Sequence, residues 1–242
     1  MNAPSLSLHG DLAVGETVLI HGLALTLPAG GWSCLLGPSG VGKSSLGRLV
    51  AGLEGPQRLV GALRTSDGGP LAGRVAMMAQ EGQLLPWAGL VANVTIGARL
   101  RGERPDIARA RRLLAAVGLE GLEARRPTDL SGGQRQRVAL ARTLIEDCPV
   151  VVLDEPFSAL DAATRLAMQD LAARMLKGRT VILITHDPLE ALRLADRAWL
   201  MRPDGAEALD LPPAPPPRSY RAPETLHMQA RLLARLQGIQ AA

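Results

Sequence analysis

Trp32-Ser33-Cys34-Leu35-Leu36-Gly37-Pro38-Ser39-Gly40-Val41-Gly42-Lys43-Ser44-Ser45-Leu46 is the stretch that decides the fold. Trp32 to Leu36 reads as a brief apolar strand that breaks at Gly37. From Lys43 the apolar residues Leu46, Leu49, Val50 and Leu53 recur at helical spacing, which predicts a helix over 43–53. Gly37 to Ser44 fits G-x-x-x-x-G-K-[ST] between that strand and that helix, the context the motif needs. Its glycines let the backbone curl until several N–H groups converge on one anion, and the positive end of the following helix faces the same point. Lys43 adds a full charge for the β and γ phosphates of a nucleotide, and the Ser44 hydroxyl can ligate Mg²⁺. Pro38, Ser39, Gly40, Val41 and Ser45 complete the loop and the helix start. A chain of this length matches the pattern by chance in about one per cent of cases before the context is required.

Val150-Val151-Val152-Leu153-Asp154-Glu155 supplies a second candidate half-site. The run has no polar alternation, as expected of a central parallel strand covered on both faces. Two acids at its end are costly to bury unless a cation meets them. Magnesium held by Asp154, with Glu155 orienting and deprotonating an attacking water, gives them a reason. A strand that simply runs out into an acidic turn explains them equally well if the segment is read alone. Leu130-Ser131-Gly132-Gly133-Gln134 reads as a helix start with Ser131 as N-cap. Two adjacent glycines in a first turn each cost about 1 kcal/mol against alanine, so they point to bared N–H groups and a second anion-binding helix end.

Outward from these segments, residues 5–30 alternate apolar and polar around turn signals at Gly15-Glu16 and Pro28-Ala29-Gly30-Gly31, predicting short strands and hairpins. A strand is expected over 74–78, a helix at Ile107–Val117 between Pro105-Asp106 and Gly118, and a helix after Ser131 with Val138, Leu140, Ala141 and Leu144 on its apolar side. A helix over 162–176 and a strand over 180–184 continue the alternation of a doubly wound sheet. Beyond Arg202 the chain turns proline-rich and ends in a short helix over 226–236, read either as a strap docked on the domain or as a partner-binding element.

The chain has 242 residues, 47% hydrophobic and 21% charged, which suits a packed α/β protein. No apolar run approaches the ~20 residues of a membrane-spanning helix, and the N-terminus has no signal-peptide pattern, so a cytoplasmic location is expected. Cys34 and Cys148 each flank an apolar run and read as buried, reduced thiols. The net charge of +4 is carried almost wholly by arginines scattered along helical segments, and with 2% aromatic residues there is little to stack on bases. No nucleic-acid partner is expected, and His9, His21 and His227 receive no role.

Taken in order, these motifs resemble the ATP-binding-cassette ATPases over nearly everything from residue 5 to 205. LSGGQRQRVALARTL at 130–144 looks like the family's signature motif and its helix. Ser158 to Asp161 looks like the D-loop, Gln80 like the Q-loop glutamine, and Thr185-His186-Asp187 like the switch region. The resemblance implies a P-loop nucleotide-hydrolase core of α/β class with a mostly parallel sheet, an N-terminal antiparallel β part and a helical signature subdomain. The expected division is 1–83 with 148–206 as the ATP-binding core, 84–147 as the helical subdomain, and 207–242 as a proline-rich linker and terminal helix.

It also implies a head-to-tail dimer in which ATP lies between Gly37–Ser45 of one copy and Ser131, Gly132, Gly133 and Gln134 of the other. Gln80 would touch Mg²⁺ or the lytic water, His186 the γ phosphate, Glu155 would act as base, and Asp161 would work across the dimer interface. One position departs: residues 1–31 contain no aromatic residue to stack on adenine, and Val14 stands where one is expected.

Gln80 to Trp87, followed by Val91-Ala92-Asn93-Val94, resembles importers of the nitrate, sulfonate, taurine and hydroxymethylpyrimidine group. There this segment abuts the membrane subunit, although plain core packing of Trp87 is equally open. The expected setting is the inner face of the cell membrane, with permease subunits as partners and a periplasmic or extracellular solute-binding protein as an indirect one. A thiamine precursor or a small organic anion is the expected solute. An exporter or lipoprotein-release ATPase is the alternative within the family. A DNA-repair, chromosome or translation ATPase would need a long coiled coil or a second cassette, and neither is present.

Overall fold

The structure, a computed structural model, describes residues 3–240, with side chains as far as Leu236. Residues 1–2 and 241–242, the outer ends of the expected terminal segments, lie outside the described residues. The chain divides into two units, one of Met1–Met77, Cys148–Asp154 and Lys177–Ala242, the other of Met78–Asp147 and Glu155–Leu176.

The first unit carries two sheets. β1 (Leu6–Val14) and β2 (Thr17–Leu27) form an antiparallel hairpin. It turns at Gly15, whose φ of 58° suits glycine. Leu6 and Leu8 in β1 and Leu23, Leu25 and Leu27 in β2 face one core with period-two alternation, and Ile20 joins them across a register shift at Gly22. β3 (Trp32–Leu36) is followed by the helix α1 (Lys43–Val50), and β4 (Gln57–Thr65) closes the small sheet in the order β2-β1-β4. β4 has no counterpart among the elements expected from sequence: Leu59 and Leu63 pack on the core but are only half-buried, and Gly61 between them interrupts the apolar alternation. The larger sheet has the order β5-β6-β7-β3-β8-β9, with β5 at Val75–Met78, β6 at Val150–Asp154, β7 at Thr180–Thr185, β8 at Arg197–Arg202 and β9 at Gly205–Leu209. β6, β7, β3 and β8 run parallel, and every residue of β3, β6 and β7 is buried, which is why their sequences show apolar runs.

The second unit is helical: α2 (Leu90–Val94), α3 (Ile96–Leu100), α4 (Ile107–Ala116), α5 (Gly132–Ile145) and α6 (Ala162–Met175). Asp106 caps α4 by accepting the Arg109 N–H at 2.8 Å, as its sequence position predicts. The first unit is completed by α7 (Pro188–Leu194) and α8 (Pro223–Gln240).

Several expected bounds shift for local reasons. α1 stops at Val50 rather than 53: Gly52 takes φ 66°, its N–H bonds Leu49 O, and the Leu53 N–H bonds Arg48 O at 3.0 Å, the paired closure of a helix that ends on a left-handed glycine. Leu53 is left 48% exposed. The terminal helix starts at Pro223 and continues to Gln240, a longer element than 226–236. Cys34 is a buried thiol, but Cys148 is only half-buried, because it precedes β6 rather than lying within it. None of the described helices is long and apolar enough to cross a membrane.

Candidate nucleotide site

The Gly37–Ser44 loop sits at the carboxyl edge of the parallel sheet, where open α/β sheets bind ligands. Leu36 pairs with Thr185 and Asp154 with Ile184, so Gly37, Asp154 and His186 stand at the same ends of neighbouring strands. Gly40 (φ 83°) and Gly42 (φ 108°) hold left-handed conformations that curl the loop, and Gly42 is the N-cap of α1 with no side chain capping the helix end. The N–H groups of that first turn are therefore presented to whatever the loop encloses. Val41 is buried beneath the loop, while Ser39 and Gly40 are exposed and Pro38 and Ser45 half-buried. Lys43 is 7% exposed, and its Nζ donates to Gly37 O and Pro38 O at 2.8 Å each, so the ammonium charge is held over the mouth of the loop.

Ser44 Oγ donates to Asp154 Oδ1 at 3.0 Å, and Asp154 is 3% exposed. A hydroxyl and a carboxylate at one hydrogen bond's separation are hard oxygen donors of the kind magnesium takes when it shares its sphere with phosphate and water. No cluster of three or more His, Cys, Asp or Glu residues able to cage a metal occurs among the described residues. The donor set thus fits an ion brought in with a phosphate.

His186 is exposed, between the end of β7 and Asp187, whose carboxylate caps α7 by accepting the Leu189 N–H at 2.9 Å. Thr185 Oγ1 accepts the Asp187 N–H at 3.0 Å, which fixes the backbone on both sides of His186. Val14, half-buried, ends β1 opposite Thr17 and Gln57.

In the second unit Ser131 and Gln134 form a reciprocal box: Ser131 Oγ accepts the Gln134 N–H at 3.2 Å, and Gln134 Oε1 accepts the Ser131 N–H at 2.9 Å. The two glycines between them differ. A Cβ on Gly133 would stand 3.0 Å from Ala159 O, so close packing of the Ser158–Asp161 loop accounts for that residue. A Cβ on Gly132 would meet nothing nearer than 3.9 Å, so packing does not account for that residue.

Glu155 is 8% exposed and holds φ 49°, a left-handed conformation that costs a non-glycine residue about 1 kcal/mol or more. Gln136, which the sequence reading does not single out, fixes this turn. Its Nε2 donates to Glu155 O at 2.7 Å and to Ser158 Oγ at 3.2 Å, and its Oε1 accepts the Ala159 N–H at 2.9 Å. Asp161, exposed, caps α6; the Thr164 N–H at 3.0 Å holds its carboxyl below the usual carboxylate range. Gln80 is exposed at the start of a segment that is tied down from two sides. Arg142 donates to Gly82 O at 2.6 Å and Gln83 O at 2.9 Å, and fully buried Asn93 both accepts from Leu85 N at 2.7 Å and donates to Leu85 O at 3.1 Å. Trp87 emerges from this braced loop 71% exposed, which removes core packing as its explanation.

Gly47 is a second residue that the sequence reading passes over. A Cβ there would lie 2.7 Å from Ile184 Cδ1 and 3.0 Å from Val152 Cγ1, so its absence lets α1 lie close on β6 and β7 and sets the depth of Lys43 and Ser44. A lone glycine inside a helical pattern is the available signal.

The profile of the family described as ABC transporter matches residues 20–158. An aliphatic sulfonates import ATP-binding protein, SsuB 1 of Rhodococcus jostii (strain RHA1), is 49% identical over 78% of this chain and 76% of its own length. The aliphatic sulfonates import ATP-binding protein SsuB of Escherichia coli (strain K12) is 43% identical over 91% of this chain and 86% of its own. Among solved structures, the dimeric post-hydrolysis state of the ATP-binding cassette MJ0796, bound to ADP and Pi, superposes with a TM-score of 0.75 at 26% identity, covering 86% of this chain and all of that one. A mixed α/β cassette of this kind is the fold class expected from the sequence. The chain belongs to the ABC transporter family, as an ATPase of that family.

Proposed function

We propose that this chain hydrolyses Mg-ATP as the ATP-binding subunit of an importer for small organic anions of the sulfonate type, working as a head-to-tail dimer beneath separate integral membrane subunits. The observation that carries this reading is the likeness to two aliphatic sulfonates import ATP-binding proteins over 78% and 91% of the chain. Trp87 and the cleft of about 330 Å³ lined by Glu81, Gln83, Leu84, Pro86, Thr128 and Arg135 support a membrane-subunit contact on the second unit, since a braced loop holding an exposed tryptophan suits a protein interface. A location on the inner face of the membrane and delivery of solute by a periplasmic or extracellular binding protein follow from the same reading.

In the site itself, Gly37 to Ser45 cradle the phosphates, and Lys43 turns its ammonium from the loop carbonyls to the β and γ oxygens. Ser44 and Asp154 would hold magnesium, and Gln80 would touch the ion or the attacking water. A magnesium ion held there would supply positive charge to offset the negative charge that develops on the phosphates. Glu155 orients the water and takes its proton, and His186 meets the γ phosphate. Ser131, Gly132, Gly133 and Gln134 of the second copy present a helix end to the same phosphate, and Asp161 acts across the interface. ATP, unlike ADP, can bridge both helix ends, so it favours the closed dimer. Val14 offers adenine an aliphatic surface, so base selectivity is modest and GTP competes well for the site.

The test is transport in proteoliposomes containing this chain with its cognate membrane subunits, with an alkanesulfonate-loaded binding protein outside. ATP hydrolysis and sulfonate uptake should rise together. Stimulation by nitrate or a pyrimidine alone would overturn the sulfonate assignment, and hydrolysis indifferent to any membrane subunit would overturn the importer reading.

A further inference from the structure

Between β9 and α8 the chain runs through Leu211-Pro212-Pro213-Ala214-Pro215-Pro216-Pro217 to Arg218, which is only 6% exposed. Its guanidinium is spent on backbone carbonyls. Nε donates to Pro212 O at 2.9 Å and Ala214 O at 2.6 Å, gathering the proline strap, and Nη1 donates to Leu192 O and Ala195 O at 2.8 Å each. The Arg218 N–H adds Arg193 O at 2.8 Å. Three carbonyls at the C-terminal end of α7 are thus satisfied by one residue of the strap. The last carbonyls of a helix have no partner within it, and these belong to residues that are 0% (Leu192, Ala195) and 6% (Arg193) exposed, so water cannot replace Arg218 freely.

α7 has seven residues and so spans about 10 Å. Its other end is Asp187, directly after His186, with Thr185 Oγ1 tied to the Asp187 N–H. A helix this short moves as a rod, so a shift at one end is delivered to the other. A displacement at the clamped end of α7 would therefore be carried to Asp187 and the imidazole beside it.

We infer that Arg218 is a positioning residue for His186: by clamping the end of α7 it fixes where the imidazole stands, so that the chain beyond β9 controls turnover without touching nucleotide. The inference rests on the reading of His186 as the group that meets the γ phosphate. Arg218→Met keeps the aliphatic stem and removes all donors; Arg218→Lys keeps the charge and a donor.

The experiment measures ATP turnover and the Kd of a fluorescent ATP analogue for the full chain, below the onset of thermal unfolding, in Arg218→Met, Arg218→Lys, His186→Ala and the double variant Arg218→Met with His186→Ala. Arg218→Met should lower kcat roughly two- to thirtyfold, the range seen for positions that act on a site at a distance, with nucleotide Kd unchanged. Arg218→Lys should lose less, and it carries the measurement if the Met variant does not fold. In the His186→Ala background Arg218→Met should add no further loss. Wild-type kcat in both Arg218 variants overturns the proposal, as does kcat falling together with nucleotide affinity, or a full multiplicative loss on top of His186→Ala. Wild-type turnover in His186→Ala alone overturns the role of His186, and that of Arg218 with it.

Discussion

Replacing Gln136 with leucine removes the amide that ties the Glu155 turn to α5 while keeping a side chain of similar size. Three hydrogen bonds go: Nε2 to Glu155 O (2.7 Å), Nε2 to Ser158 Oγ (3.2 Å), and Oε1 from the Ala159 N–H (2.9 Å). Glu155 O keeps a partner, because Ser158 Oγ also donates to it at 3.1 Å. The cost is therefore that of two or three neutral hydrogen bonds with a partly solvated N–H left over, about 2–3 kcal/mol. That is within the stability of a protein this size, so the variant folds.

The effect on turnover should exceed the effect on stability. Glu155 holds φ 49° only because its surroundings over-determine it, and without the amide the turn can relax toward ordinary geometry. A misplacement of about 1 Å in a reacting group costs as much as a hundredfold in rate. Lys43, Ser44 and Asp154 make none of the lost bonds, so nucleotide affinity should stay at the wild-type value. The assay is steady-state phosphate release alongside equilibrium binding of a fluorescent ATP analogue and a thermal melt. Loss of stability with wild-type kcat would refute the link between Gln136 and the base, and loss of nucleotide binding in proportion to kcat would place Gln136 in a different role.

Lys43→Ala should weaken ATP binding roughly thirtyfold or more, the least expected when one partner of a buried charge-assisted contact is truncated, and isothermal titration would read this directly. Gly47→Ala should lower the melting temperature despite alanine's better helix propensity, because Val152 Cγ1 at 3.0 Å is stiff and overpacking costs about 1–3 kcal/mol. Adding Ile184→Val, which removes the Cδ1 at 2.7 Å, should restore part of that loss in the same melt. Gly132 and Gly133 should separate: Gly133→Ala destabilises the fold through Ala159 O, while Gly132→Ala leaves the melting curve unchanged or raised and lowers ATP-dependent turnover.

The strongly apolar strands and the glycine loop are legible because each has its own local signal: unbroken apolar runs for β6 and β7, and a curl-forming glycine pattern before a helical period for the loop. β4 is not legible, since its core-facing Leu59 and Leu63 are only half-buried and Gly61 breaks the alternation between them, while the backbone ladder to β1 leaves no mark in the sequence. The same distinction runs through the candidate site. Lys43, Ser44 and Asp154 announce themselves by type and spacing. Gln136 and Arg218 do not: one is a glutamine inside an amphipathic helix and the other an arginine after prolines, and only folding brings backbone groups to them. Trp87 is ambiguous for a related reason, because an isolated tryptophan looks the same in sequence whether it is packed or displayed. In the folded chain it is displayed, on a loop whose Leu85 backbone Asn93 holds.

The measurement that bears most directly on the central claim is the oligomeric state and turnover of Glu155→Gln. This substitution retains the shape of the side chain and removes its ability to take a proton, leaving Lys43, Ser44 and the Ser131–Gly133 helix end as they are. By light scattering, the variant should be a dimer in Mg-ATP and a monomer in Mg-ADP, with hydrolysis nearly abolished. Wild-type turnover, or a monomer at saturating Mg-ATP, would contradict the account.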